Sequence, residues 1–121
     1  MKDKLEQIFE LQEKLMYKYV DLGFLPEFPL DLRKKENVKC FRECVFHLMQ
    51  ELFETVYHLK NRPNRLSEIP DYNREEFEEE LIDALHLFVE ACILSGMTPD
   101  HIMERYEAKN KINHDRVNKK Y

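Results

Sequence analysis

Two short stretches, ELFE at 51–54 and ELID at 80–83, set carboxylates three residues apart inside otherwise apolar runs. On a helix this spacing puts both side chains on one face. Glu51 and Glu54 therefore point the same way, and so do Glu80 and Asp83. If the two helices are antiparallel neighbours, four carboxylates converge on one spot. Converging carboxylates repel one another and lose solvation on burial, and a divalent cation relieves both costs. Oxygen-only ligands favour Mg²⁺ or Mn²⁺ over zinc, and Mg²⁺ commonly shares its site with substrate phosphates. The competing reading is a solvated acidic face. With 24 Asp and Glu in 121 residues, E-x-x-E spacings also arise by chance, and Glu75, Glu76, Glu78 and Glu79 read as a solvated first turn. The two pairs stand above that background because each is embedded in an apolar helix.

Other chemistry is thinly represented. A di-iron bundle needs two Glu-x-x-His motifs, and only Asp83-Ala-Leu-His86 approaches that spacing. Glu43/His47 and Glu54/His58 are four apart. His86 reads as a hydrogen-bonded core residue. There is no nucleophilic triad, Gly-rich phosphate loop or zinc-type cysteine spacing.

Four helical stretches must position these groups. The first, roughly 3–21, repeats Leu5, Ile8, Phe9, Leu11, Leu15, Met16 and Tyr19 near helical spacing. Gly23, Pro26 and Pro29 then open a crossing loop. The second, about 38–60, predicts an inward stripe of Phe41, Val45, Leu48, Leu52, Val56 and Leu59. The third begins near Tyr72 or Asn73, with Asn73 as a cap, and runs to Ser95 before Gly96. It is apolar nearly all round, which predicts burial on several sides. The fourth starts at Thr98-Pro99-Asp100 and continues through Tyr106, after which 109–121 reads as a polar, basic tail. The expected architecture is all-α, an antiparallel bundle of about four main helices in one domain over 1–121. The third helix offers more apolar surface than one chain of this size covers, so a homodimer is expected to complete the bundle.

Composition limits the partners. A net charge of −5 argues against binding to DNA or RNA, which needs a basic face. Cys40, Cys44 and Cys92 are odd in number and lack a C-x-x-C spacing, so they read as packed thiols in a reducing cytoplasm. The N-terminus has no signal-peptide core, and no run approaches a membrane span in length.

The order E51-L-F-E54, 25 residues, E80-L-I-D83 resembles the E-x-x-E…E-x-x-D pattern of the all-α nucleoside triphosphate pyrophosphatases. That superfamily includes MazG-like proteins and the dimeric dUTPases. ELIDALHLF resembles the third-helix motif of the dUTPase branch, and LQEKL at 11–15 is similar to its first-helix segment. The run Y106-E-A-K109-N110-K-I-N113-H-D-R116 resembles its closing Tyr-x-x-Lys-Asn-x-x-Asn-x-x-Arg. The resemblance implies Mg²⁺-dependent hydrolysis of a deoxynucleoside triphosphate, dUTP foremost, to monophosphate and pyrophosphate, with Mn²⁺ as a substitute ion. It implies that Glu51, Glu54, Glu80 and Asp83 hold the metal and that Glu51 or Glu54 also activates water. Lys109 and Arg116 would meet phosphate oxygens, and Asn110 or Asn113 would hydrogen-bond the nucleotide. Tyr106 would position the sugar, and Gln12 would read the base edge. The tail would close over the site. Lys60, after the second helix, is a further phosphate contact candidate, as are Arg62 and Arg65; all three read equally well as solvated loop charges. The chain departs from the branch at Gln50, at Met16, in lacking Trp, and at its closing Lys120-Tyr121. These positions bear on base and sugar rather than on metal. Two rival readings stay open: a pyrophosphatase for dCTP, a purine or a damaged nucleotide, and a non-catalytic helical module that binds protein.

Overall fold

Three helices start on side chains that accept an otherwise unpartnered backbone N–H. Asp3 accepts from Glu6, Asn73 from Glu76 and Thr98 from His101. In the computed structural model, which describes residues 1–59 and 72–119, the helices are α1 (Lys4–Asp21), α2 (Lys35–Tyr57), α3 (Arg74–Leu94) and α4 (Pro99–Asn118). There is no strand among the described residues. The fold is all-α, as the periodicity predicts. Gly23 and Gly96 sit at φ of 78° and 88° just past the ends of α1 and α3. Each lets the chain leave the helix with its last carbonyls satisfied: Phe24 N–H donates to Tyr19 O, and Met97 N–H to Cys92 O.

Two helices differ in extent from the sequence reading. α2 begins at Lys35 and ends at Tyr57, a few residues ahead of the predicted span at both ends. α4 does not stop near Lys109 but runs to Asn118. The segment after Tyr106 has no Pro or Gly, and Arg116 in the last turn favours the negative end of the helix dipole.

α3 is the central element, packed against both α1 and α2, while α4 approaches only α1. α2 and α3 are antiparallel, since Cys44 meets Leu87 and Glu90 at one end and His58 meets Glu80 at the other. The less accessible positions include, on each helix, a series that alternates by four and three: Leu5, Phe9, Gln12, Met16 and Tyr19 on α1, and Cys44, Leu48, Glu51, Thr55 and His58 on α2. On α3 the series is Phe77, Glu80, Ala84, Leu87, Ala91 and Leu94. This is the spacing of a coiled-coil-like seam. At one end it is apolar, closed by Met16 and Leu94, both fully buried, and by Leu30 of the crossing loop, whose N–H donates to Leu94 O.

At the other end the seam changes character. Leu52 and Val56, expected to face inward, are exposed, and Glu51, Thr55 and His58 take the inward positions. Ile8 and Leu11 are likewise exposed while Gln12 is buried. The seam repeats every 3.5 residues, so it drifts off a straight 3.6 stripe and picks out these polar residues. α3 is buried on fewer sides than its composition predicts, because Ile82, Leu85 and Phe88 face outward.

Candidate active site

The polar end of the seam brings two helices' carboxylates together. Glu51 and Glu80 occupy seam positions and are half-buried, while Glu54 and Asp83 flank them and are exposed. One carboxylate oxygen each from Glu51, Glu54 and Glu80 lies within 4.8 Å of the others. Asp83 stands outside that trio but near enough for its charge to act on Glu51. Burial pushes the Glu51 carboxyl above its ordinary value, and the neighbouring charges of Glu54 and Asp83 and the Glu80 carboxylate push the same way.

Little among the described residues offsets this charge. Among the described residues the ion pairs of these carboxylates are with histidines, His47 Nε2 to Glu51 at 3.6 Å and His58 Nε2 to Glu80 at 3.6 Å. Gln50 donates a long 3.4 Å bond to Glu54, and the buried Thr55 hydroxyl is spent on Glu51 O. A cluster of hard oxygen donors with a raised Glu51 carboxyl pKa and, among the described residues, no Lys or Arg ion pair fits a divalent cation such as Mg²⁺. Beside the cluster a cavity of about 470 Å³ opens between the end of α2 and the start of α3, lined by Glu54, Tyr57, His58, Tyr72, Asn73 and Glu80 among others.

The histidines escaped the sequence reading as neighbours of the site. Their signal was present: His47, Glu51, Glu54 and His58 follow a four-three-four spacing that runs along one face of α2. Measured against the di-iron spacing, His47 and His58 looked irrelevant.

Gln12 is 3% exposed on the α1 seam, and its Oε1 lies 2.8 Å from His86 Nδ1. With the amide oxygen accepting, Nδ1 carries the hydrogen and the Gln12 NH₂ remains free to donate. His86 is hydrogen-bonded as expected, but it is an exposed residue rather than a core one. Cys44 and Cys92 are buried free thiols, with Cys44 donating to Glu90 at 3.2 Å. Burial and the Glu90 carboxylate hold the Cys44 thiol far above its ordinary pKa, so it packs rather than reacts.

The structure does not bring the tail to the carboxylates. Tyr106, Lys109, Asn110, Asn113 and Arg116 fall on one stripe of α4, all exposed. That helix turns 104° from α3 and approaches neither α2 nor α3. Lys60, Arg62, Arg65, Lys120 and Tyr121 lie outside the described residues.

A protein-family model described as dUTPase matches residues 6–121. No curated protein and no solved structure gives a significant match.

Proposed function

The chain belongs to the all-α dUTPase family, and from that premise we propose that it hydrolyses dUTP to dUMP and pyrophosphate, with Mg²⁺ held by Glu51, Glu54, Glu80 and Asp83. The observation that carries this reading is the carboxylate trio, with oxygens within 4.8 Å of one another, two of its members, Glu51 and Glu80, standing in a helix seam where apolar side chains would pack. A bundle gains nothing from that arrangement unless a cation binds there.

When bound, the ion supplies positive charge to the phosphate oxygens and lowers the pKa of water. The chain's own residues do the rest. Glu51 and Glu80, fixed in the seam, set the position of the triphosphate. Glu54, exposed and only loosely tied to Gln50, accepts the proton of the attacking water as the bond between the α- and β-phosphates breaks. The two histidines hold the Glu51 and Glu80 carboxylates in place. The free NH₂ of Gln12, oriented by His86, reads a carbonyl oxygen of the base. Lys109 and Arg116 bind phosphate oxygens, with Asn110 and Asn113 on the nucleotide, Tyr106 at the sugar and Lys60 as a further phosphate contact. The working form is a homodimer, and the three free cysteines accord with a reducing cytoplasm.

The test is pyrophosphate release with Mg²⁺ from dUTP, the four canonical dNTPs and the four NTPs. The expected result is release from dUTP above all others, reduced by at least about 100-fold in Asp83→Asn. Preference for another nucleotide would keep the metal chemistry and reassign the base, at a pocket built without Trp. No release from any nucleotide, with Mg²⁺ or Mn²⁺, would overturn the reading in favour of a protein-binding module.

A further inference from the structure

The apolar end of the α2–α3 seam is not wholly apolar. Cys40 and Cys44 are free thiols one turn apart on α2, half-buried and buried, and they share a face of the helix. Glu90 reaches in from α3. Its Oε2 accepts the Cys44 thiol at 3.2 Å, and Leu87 O lies 3.5 Å from the same sulfur. Burial raises the Cys40 thiol above its ordinary pKa, and the charges of Glu43 and Glu90 add to it. Burial and Glu90 act on Cys44 in the same sense, so one carboxylate stands in electrostatic reach of both thiols. Cys92 is two residues beyond Glu90, about 200° around α3, and belongs to another side of that helix.

This group is separate from the candidate active site. Cys44 precedes Glu51 by about 10 Å along α2, and Tyr57 by about 20 Å. Its chemistry also differs. Two sulfurs and a carboxylate oxygen suit a borderline-soft ion such as Zn²⁺, and thiolates discriminate against Mg²⁺. In a tetrahedral zinc site with bonds of about 2.3 Å to sulfur and 2.0 Å to oxygen, two such donors stand about 3.5 Å apart. The 3.2 Å between Cys44 Sγ and Glu90 Oε2 is close to that edge. Cys40 stands farther out. It does not close on the other two within the 4.8 Å that groups Glu51, Glu54 and Glu80, so completing the site takes a rotamer change of this half-buried side chain. Spacing along the sequence hides the group, because its carboxylate comes from a different helix.

We propose that Cys40, Cys44 and Glu90 form a second metal site, for a thiophilic divalent cation of the Zn²⁺ class, which ties α2 to α3 at the end of the seam away from the carboxylate cluster. Binding replaces two thiol protons, released to solvent, with two metal–sulfur bonds. Glu90 exchanges its accepted hydrogen bond for a metal–oxygen bond, and water takes the fourth position. The site requires no nucleotide and is independent of the hydrolase reading.

Cobalt substitution tests it. Full-length reduced protein, with excess Mg²⁺ to occupy the hard oxygen site, is titrated with Co²⁺ and then with Zn²⁺. The expected result is one Co²⁺ per chain, with a thiolate-to-cobalt charge-transfer band and tetrahedral d–d bands that Zn²⁺ displaces. Cys40→Ala, at a half-buried position that folding tolerates, should weaken Co²⁺ binding by at least about 100-fold, more than the loss of an outer hydrogen-bond partner costs. Glu90→Gln should weaken it by at least about tenfold, and Glu51→Gln should leave the band unchanged. Absence of a charge-transfer band in the wild type overturns the proposal. So does a band that Cys40→Ala or Glu90→Gln leaves at wild-type affinity, or one that Glu51→Gln removes. Because the readout is a spectrum, a chain without dUTP turnover is tested equally well.

Discussion

Glu51 occupies a position where a leucine would complete the seam. Its carboxyl is raised from 4.5 by burial and by the charges around it, so ionisation opposes folding of the metal-free chain. Its contribution is fully favourable below the ordinary carboxyl range, where the group is protonated. It is lost as pH rises through the raised native pKa. With chelator present, the wild type is therefore expected to lose thermal stability relative to Glu51→Gln as pH climbs from 4 to 7. At pH 7 the variant should be the more stable by on the order of 1 kcal/mol, or about 4 °C in Tm. Added Mg²⁺ should raise the wild-type Tm and leave that of the variant nearly unchanged. Paired thermal melts over pH and Mg²⁺ check both statements; a variant less stable than wild type without metal would contradict this account of the site. The approach of Glu51, Glu54 and Glu80 to one another was legible in the sequence because E-x-x-E inside an apolar helix conflicts with the pattern around it. The spacing of His58 from Glu54 places it on the same face of α2, but its approach to Glu80 depends on how the end of α2 lies against α3, which no spacing within one helix encodes.

At the scale of elements, stop and cap signals were the most legible. Asn73, Thr98, Gly23 and Gly96 each act through groups within a few residues, so local sequence suffices to place them. The facing of α1 and α2 was less so. Leu52 and Val56 fit a helical stripe as well as Glu51 and Thr55 do, and hydrophobicity alone chose the wrong pair. What decides is the 3.5-residue repeat shared with α3, which appears only when two helices are laid together. α4 was misjudged for the opposite reason. A polar composition reads as a frayed tail, yet nothing in it breaks a helix. Because this helix makes so few contacts beyond Ile102, its stability should come from association. Amide exchange in α4 past Met103 is expected to be near unprotected in dilute protein and to slow at least about tenfold at high concentration, while α3 stays protected throughout. Concentration-independent exchange along α4 would mean that the helix stands alone.

As a whole molecule the chain exposes 10217 Å² of surface, well above the roughly 7,000 Å² expected of a compact protein of its mass. Phe46, Phe53, Ile82 and Phe88 are more than half exposed, and they lie on α2 and α3, the helices that carry the carboxylates. Sedimentation equilibrium at micromolar concentration is expected to give a dimer, and Phe53→Glu to shift it toward monomer; a wild type that stays monomeric would leave these side chains without a partner. The seam that positions the carboxylates carries one more consequence. A designer given this backbone would fill Glu51, Thr55 and Glu80 with leucine and isoleucine and obtain a more robust bundle. The natural chain leaves those layers open, so its tolerance of destabilising change elsewhere is correspondingly narrow. Substitutions at the apolar end, around Met16 and Leu94, then draw on a reserve already reduced by the demands of the chemistry at the opposite end.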